Sequence, residues 1–388
     1  MMNIKLIKNS FFNERDTQEK LADFVRGAKF FSMSKECANF EENFSKWHDR
    51  KYSILFNSGS SANLALLQAL LNLGTLRHGD RVGFSNLTWA TNVMPIIQLG
   101  LQPVEIDCSL ETLNVDLENL KKHNNLKCFF ITNTLGFSDN LVDIKDYCDK
   151  NNILLLEDNC ESLGSRCGGK LLGNFGFAST FSFFVGHHMS TVEGGMVCTD
   201  NKELSDMIKM VRAHGWDRHL DEEKRTELRQ KNNVDSFYST YTFYDLGFNL
   251  RPTEITGFLG NLQLKYLDEI IKKRNENYKI CLNFLESNDD LLKFKLGHMS
   301  FISSFAIPLI FKDKTKFEIY KDRFIKAGIE IRPVIAGSIN RQPFYKKYIK
   351  NTVECKASDF IHENGFYFGN NPDLTREELD FISTLLIK

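Results

Sequence analysis

The chain has 388 residues, 42% of them hydrophobic, and 49 Lys and Arg stand against 50 Asp and Glu for a formal net charge of −1. That length can bury a large core in more than one compact unit, and the balanced charge removes the electrostatic case for a general nucleic-acid binder. The nine cysteines, at 37, 108, 128, 148, 160, 167, 198, 281 and 355, are odd in number, with no C-x-x-C or C-x-C pair. This reads as free thiols in a reducing cytosol, not as a disulfide framework, a zinc site or an iron–sulfur cluster.

The opening MMNIKLIKNSFFNERD has charges where a signal peptide needs an apolar run. From about residue 50 to 215, short apolar runs alternate with helical patterns. SILF (53–56) precedes ANLALLQALLNL (62–73), RVGF (81–84) precedes TNVMPIIQL (91–99), and PVEI (103–106) precedes VDLENLKKH (115–123). CFFIT (128–132) leads into LVDIKDYCDK (141–150). ILLL (153–156), STFSFF (179–184) and MVCT (196–199) follow, then KELSDMIKMVRAH (202–214). Such alternation predicts an α/β fold, a mostly parallel sheet covered on both faces, with ligands outside the carboxyl ends of its strands.

Residues 217–240 are polar and charged and read as a solvated excursion. A long helical pattern begins near 253 (TEITGFLGNLQLKYLDEIIKKRNENY), followed by a strand (302–310), a helix (314–327) and a strand (329–334). The expected division is a large α/β domain over 1–252 and a smaller α+β domain over 253–388. FISSFAIPLIF (301–311) is too short to span a bilayer and reads as a buried strand. A soluble cytoplasmic protein with no membrane or nucleic-acid partner is the expectation.

Four constellations can carry chemistry. In NSGSSANLALL (57–67) a strand ends and Ser58-Gly59-Ser60-Ser61 opens a helix, whose free N–H groups and dipole suit an anion; an ordinary N-cap with a glycine turn is the plain alternative. In ILLLEDNCES (153–162), Glu157 and Asp158 follow a buried strand, where a carboxylate can hold a cationic ring nitrogen, cap the next segment or bind magnesium. FSFFVGHHMSTVEGGM (181–196) carries tandem histidines on a glycine-rich turn with no metal-ligand spacing. GFNLRPTEITGFLGNLQL (247–264) places Gly247, Asn249, Arg251 and Pro252 before a long helix, either as an anion clamp or as a helix start.

These stretches, in this order, resemble the sugar aminotransferase family of fold-type I pyridoxal-phosphate enzymes, which aminates nucleotide-linked keto sugars. The similarity runs from KFFSMSKE (29–36) through SGSSAN, TWAT (88–91), EDNCESLGS and EGG to NLRP and GIEIRP (328–333). It implies an aspartate-aminotransferase-like fold with a seven-stranded, mostly parallel sheet and a smaller C-terminal α+β domain. The family pattern is S-F-x-x-x-K followed by Glu-Gly-Gly, the lysine forming a Schiff base with the cofactor. Counting from Ser182, that lysine position holds His187, and Glu193 follows six residues later. Imidazole cannot form a stable Schiff base.

The chain is thereby similar to a lysine-less subgroup, the 3-dehydratases of nucleotide-linked 4-keto-6-deoxy sugars, which share the HH pair, EDNCES and AHGW (213–216). A CDP-glucose counterpart uses an iron–sulfur cluster, for which the cysteine spacing here gives no support. The resemblance implies non-covalent pyridoxal 5′-phosphate and pyridoxamine 5′-phosphate, L-glutamate as amino donor, and C3 deoxygenation of a GDP-linked 4-keto-6-deoxy sugar, mannose or the corresponding heptose. 2-Oxoglutarate and ammonia are released, and the product is a 3,6-dideoxy sugar precursor for surface polysaccharide. It assigns His187 as acid and base, with His188 either a structural neighbour facing away or the base in its place. Asp158 goes to the ring nitrogen, Gly59, Ser60 and Ser182 to the phosphate, Trp89 to ring stacking, and Glu161 to the ring hydroxyl. Asn249 and Arg251 reach a neighbouring subunit's site in a homodimer, with Asn249 on the phosphate. His214 and Arg218 fall to glutamate or the nucleotide sugar, and Lys29, Phe30, Phe31, Ser32 and Glu330 to the nucleotide-sugar site. Two rival readings are an ordinary 4-aminotransferase, which lacks its lysine here, and an inactive homologue acting as a binding subunit.

Overall fold

A computed structural model describes residues 2–387. The strands are β1 (Tyr52–Phe56), β2 (Arg81–Ser85), β3 (Gln102–Ile106), β4 (Cys128–Thr132), β5 (Leu154–Asp158), β6 (Arg166–Cys167), β7 (Lys170–Leu171), β8 (Ala178–Ser182), β9 (Gly195–Thr199), β10 (Met299–Phe301), β11 (Ala306–Ile310), β12 (Ile331–Pro333) and β13 (Gly365–Gly369). Seven of them form the main sheet in the order β1-β9-β8-β5-β4-β2-β3. Pairs from β8 through β3 are parallel, and β9 is antiparallel to both of its neighbours. The doubly covered, mostly parallel sheet expected from the strand–helix alternation is therefore present.

The pleat sorts the apolar runs to two faces. Phe130 and Cys128 of β4 join Leu66 and Leu70 of the helix Gly59–Asn72 and Ile208 of the helix Lys202–Arg212 in one cluster. Phe129 and Ile131, one residue out of phase, join Tyr278, Ile307 and Phe366 in the other. That second cluster continues into the small antiparallel sheet β11-β13-β12, so one core supports both the large sheet and the C-terminal sheet.

Local differences from the sequence reading have physical causes. The helical pattern starting at 253 is two helices, Glu254–Leu264 and Leu267–Ser287; a short interruption of the i→i−4 ladder leaves the apolar period intact. The 301–311 run is cut in two: β10 pairs with β6, and β11 pairs with β13. Between them Ser303 and Ser304 are fully buried, and their carbonyls accept from side chains of the site described below. The 217–240 excursion contains the helix Glu222–Lys231, capped by Asp221 and with no buried residue. Among the described residues no helix is long and apolar enough to cross a membrane.

Candidate active site

The carboxyl ends of β1, β2, β4, β5 and β8 open onto a cavity of about 360 Å³, where ligands of such sheets bind. Ser58 and Gly59 line it after β1, Trp89 and Asn92 after β2, Thr132 ends β4, Asp158 ends β5 and Ser182 ends β8. Phe305, Ile335 and Tyr367 close it from the small-sheet side. A larger, open groove of about 710 Å³ runs past Glu41, Lys46 and Lys51. It lies at the amino end of β1, away from the edge of the sheet that bears the first cavity, and carries none of the four constellations.

Strand alternation separates the two adjacent acids of β5. Glu157 is fully buried, and its carboxylate accepts from the N–H groups of Gly173 (2.8 Å), Phe175 (2.7 Å) and Gly176 (2.6 Å). It is a loop anchor. Asp158 faces the cavity. Its Oδ2 accepts from Asn63 Nδ2 (2.9 Å) and Asn92 Nδ2 (2.7 Å), and its Oδ1 from the Cys160 N–H (2.9 Å). Thr88 donates to Asn92 Oδ1 (3.1 Å) and shares a 2.6 Å hydrogen bond with Thr132, so the acid is held in one rotamer by residues following three strands.

The helix Gly59–Asn72 starts at this cavity with Ser58 as its N-cap, accepting from Ser61 N–H at 3.1 Å. No acidic residue occupies its first turn, so its dipole is left for an outside anion. A Cβ on Gly59 would stand 2.6 Å from Ser182 Cβ, and one on Gly195 would stand 2.2 Å from the Ser58 carbonyl oxygen. The glycines let the β8 and β9 ends close onto the helix start, bringing Ser182 beside the free N–H groups.

His187 follows on the turn after β8, with its ring edge-on to Phe184 (5.9 Å) and Phe305 (5.4 Å). Burial lowers its pKa to about 4; a contact to the Ser182 main chain opposes the shift and the Arg274 guanidinium adds to it. The ring is therefore neutral at physiological pH. His188 turns away: its Nε2 donates to the Ser303 carbonyl at 2.8 Å, and burial depresses its pKa also. Arg274, buried, donates to the carbonyls of Asn370 (2.6 Å), Phe305 (3.0 Å) and His187 (3.2 Å). Glu161 accepts from the Leu135 N–H at 2.8 Å, and burial raises its pKa to about 8, so it holds a proton at neutral pH.

Of the residues singled out in the sequence, the cavity gathers Gly59, Ser60, Trp89, Asp158, Glu161, Ser182 and His187. Lys29, Phe30, Phe31, Ser32, His214, Arg218, Asn249, Arg251 and Glu330 do not line it. Four of these gather around Trp216. The Arg218 guanidinium lies 4.0 Å and that of Arg251 5.6 Å from its ring centroid, His214 is edge-on to it at 5.0 Å, and Arg251 Nε donates to Asn249 Oδ1 at 2.9 Å. Residues 29–32 are exposed and tied to the start of the helix Glu254–Leu264, through the Glu254 N–H to the Phe31 carbonyl (2.9 Å) and a Ser32–Thr253 bridge. Glu330 accepts from the Leu6 N–H at 3.0 Å and pairs with Arg332. Lys170, on β7, sits over the Phe175 ring, and no lysine or arginine lines the cavity among the described residues.

Asn63, Asn92, Phe305, Tyr367 and Arg274 escaped the sequence reading. Asn63 had a signal: it lies four residues after Gly59 on the same helix, one turn on. Asn92 follows TWAT directly. Phe305, Tyr367 and Arg274 come from distant segments, and no local pattern marks them.

The chain matches the DegT/DnrJ/EryC1/StrS aminotransferase family over residues 13–386. It is 32% identical over 371 residues to the GDP-4-keto-6-deoxy-D-mannose 3-dehydratase of Yersinia pseudotuberculosis, covering 93% of each chain. The structure of an E. coli GDP-4-keto-6-deoxy-D-mannose-3-dehydratase with bound hydrated PLP superimposes with a TM-score of 0.90 at 30% identity over 100% of both chains. A second, of GDP-4-keto-6-deoxymannose-3-dehydratase with a trapped PLP-glutamate geminal diamine, gives 0.90 at 30% identity over 99% of this chain and 100% of that one. The fold is the pyridoxal-phosphate-dependent aminotransferase fold, and the chain belongs to the DegT/DnrJ/EryC1/StrS aminotransferase family.

Proposed function

We propose that this protein is a 3-dehydratase of a GDP-linked 4-keto-6-deoxy sugar, working with non-covalently held pyridoxal phosphate and its pyridoxamine form. L-Glutamate supplies the amino group and leaves as 2-oxoglutarate, and ammonia is released. The oxygen lost from C3 of the sugar is balanced by the carbonyl oxygen gained on the glutamate skeleton. The observation that carries this reading is His187, neutral and cavity-facing, at the place where the family pattern has its lysine. The relatives named for this dehydration support the sugar class.

The residues present fit the cofactor. Asp158, locked by two amides, offers a fixed carboxylate for a pyridinium N–H. The uncompensated helix start at Gly59 and Ser60, with Ser182 brought against it by the glycine, offers N–H and O–H donors to a phosphate. Trp89, about half exposed, stands at the mouth for ring stacking. Protonated Glu161 can donate to the ring oxygen. When bound, the cofactor supplies the amine for the C4 ketone and the electron sink for loss of the C3 hydroxyl. His187 accepts the proton at the cofactor's C4′ carbon, and its low basicity lets it return that proton to the departing oxygen.

The cavity contributes Asp158, Glu161 and Glu193 but no cation of its own, so a pyrophosphate-bearing ligand needs positive groups from elsewhere. We assign these to Arg251 and Arg218 of a second copy, with Asn249 and His214 beside them as polar contacts, in a homodimer with shared sites, and residues 29–32 and Glu330 to the nucleotide-sugar approach. Exposed Phe237, Tyr238, Tyr241 and Leu246 near that cluster support a covered surface. Free cysteines suit a cytoplasmic location. The test is mass spectrometry of reactions with pyridoxal phosphate, L-glutamate and GDP-4-keto-6-deoxy-mannose, the heptose analogue in parallel. Loss of one oxygen with ammonia release is expected; an aminated sugar, or no turnover of either, sinks the reading.

A further inference from the structure

His187 lines both the 360 Å³ site and a crevice of about 30 Å³ behind it. Other walls of the crevice are Ser10, His188, Arg274, Asn371 and Asp373. Three nitrogens of these residues are buried and have no hydrogen-bond partner among the described residues: His187 Nδ1, His188 Nδ1 and Arg274 Nε. They are not interchangeable. Arg274 Nε–H can only donate. The Ser303 carbonyl can only accept, so the His188 proton sits on Nε2 and its Nδ1 is an acceptor. With Nδ1 of His187 buried and partnerless, Nε2 is the nitrogen left for the active-site side, where the Ser182 carbonyl competes for its proton. A base there must be bare, which puts the His187 proton on Nδ1 as a donor.

Two donors and one acceptor around one crevice match the capacity of a single water: both lone pairs and one proton. The volume is sufficient for such a water, which needs two to four polar partners. We propose that a buried water in this crevice joins Arg274, His188 and His187, and that His188 and Arg274 are positioning residues that hold His187 in its basic tautomer. This rests on the reading of His187 as the base. It also gives the second histidine of the tandem a task. Without the His188 acceptor, the water can rotate and donate to His187 Nδ1, leaving the active-site nitrogen protonated. Arg274 further fixes the turn through the His187 carbonyl. The charged or titratable groups around the imidazole are Arg274, His188 and Asp373 on the crevice side, and Asp158, Cys160, Glu161, Glu193 and Tyr367 on the cavity side.

The experiment is ¹⁵N NMR of the full-length chain, selectively labelled at histidine and free of cofactor and substrate, with a crystal structure at a resolution that shows ordered waters. The expected result is a water within hydrogen-bond distance of the three nitrogens and His187 neutral in the Nδ1–H form. In His188→Phe the tautomer shifts towards Nε2–H and turnover falls about tenfold, the low end of losses when the second partner of a positioned imidazole is removed. His188→Gln, which keeps a donor for Ser303 and an acceptor for the water, restores the tautomer in part. If His188→Phe does not fold, Arg274→Lys takes its place: it keeps a cation, lacks Nε–H, and should loosen the same tautomer. A dry crevice, an Nε2–H His187 in the unaltered chain, or unchanged tautomer and turnover in the variant overturns the inference. A correct tautomer with no dehydration would instead sink the proposed reaction and leave the water network standing.

Discussion

At the scale of single residues, the site depends on which protonation each buried group keeps. His187→Gln removes the proton carrier and leaves a side chain of similar reach. Turnover should drop by about 10²–10⁴-fold, the usual range for a lost general base, while cofactor binding followed by absorbance persists. Glu161 behaves in the opposite sense to a paired carboxylate. Its folded pKa of about 8 lies above the ordinary 4.5, so its contribution to stability is complete below pH 4.5 and is lost as pH rises towards 8. Glu161→Gln, which mimics the protonated acid and keeps an acceptor for Leu135, should stabilise the protein by ~1–3 kcal/mol at pH 8 and hardly at pH 4.5. Urea titrations at the two pH values check this. His187 was legible through the family pattern, as the residue at the lysine position counted from Ser182, and Asp158 as one of two acids after a buried strand whose role came from the same resemblance. Asn63 and Asn92, which lock Asp158, were not, since an amide on a helix or turn has no distinctive neighbours until the strands bring it to the acid.

At the scale of elements, close approach at Gly59 decides the geometry. Alanine is the better helix former by about 1 kcal/mol, but its Cβ would meet Ser182 Cβ at 2.6 Å, a contact between two atoms with no freedom to rotate away. Overpacking costs about 1–3 kcal/mol, so Gly59→Ala should lower the urea midpoint and weaken phosphate binding together; calorimetry with inorganic phosphate and pyridoxal phosphate reads the second effect. The strands of the main sheet were readable as continuous apolar runs because both of their faces are covered. β13 was not: GFYFG is short, without alternation, and its place at the centre of the small sheet comes from pairing with β11 and β12. The Glu222–Lys231 helix was hidden for the opposite reason, since a helix with no buried face has no apolar period to read.

At the scale of the molecule, several buried or half-buried histidines are held in neutral form. Burial takes His48 to about 3 and His187 and His219 to about 4, and lowers His188 as well. In the unfolded chain each titrates near 6.5. Their depressed folded values mean that their contribution is complete above pH 6.5 and is lost as pH falls from there to about 4. The urea midpoint should therefore decline between pH 6.5 and 4 more steeply than carboxylate titration alone explains, and His48→Phe, in a ring cluster with Phe44 and Phe181, should flatten that decline. The mostly parallel sheet and the four constellations followed from the chain's order of elements. Which residues share a cavity did not: Asn63 and Asn92 meet Asp158 from other strand ends, while Asn249 and Arg251, expected at a neighbouring subunit's site, lie beside Trp216 and outside this chain's cavity.

The two amides on Asp158 have a consequence in time. A ring held without a covalent tether stays only as long as its non-covalent contacts last, and the reaction proposed above asks it to remain through two successive half-reactions. Because Asn63 and Asn92 already hold the carboxylate in place, little side-chain ordering is left to be done on association. The barrier to escape is correspondingly set by contacts already in place, and residence, not capture, becomes the quantity that limits how many turnovers one loaded chain completes before it must be refilled from solution.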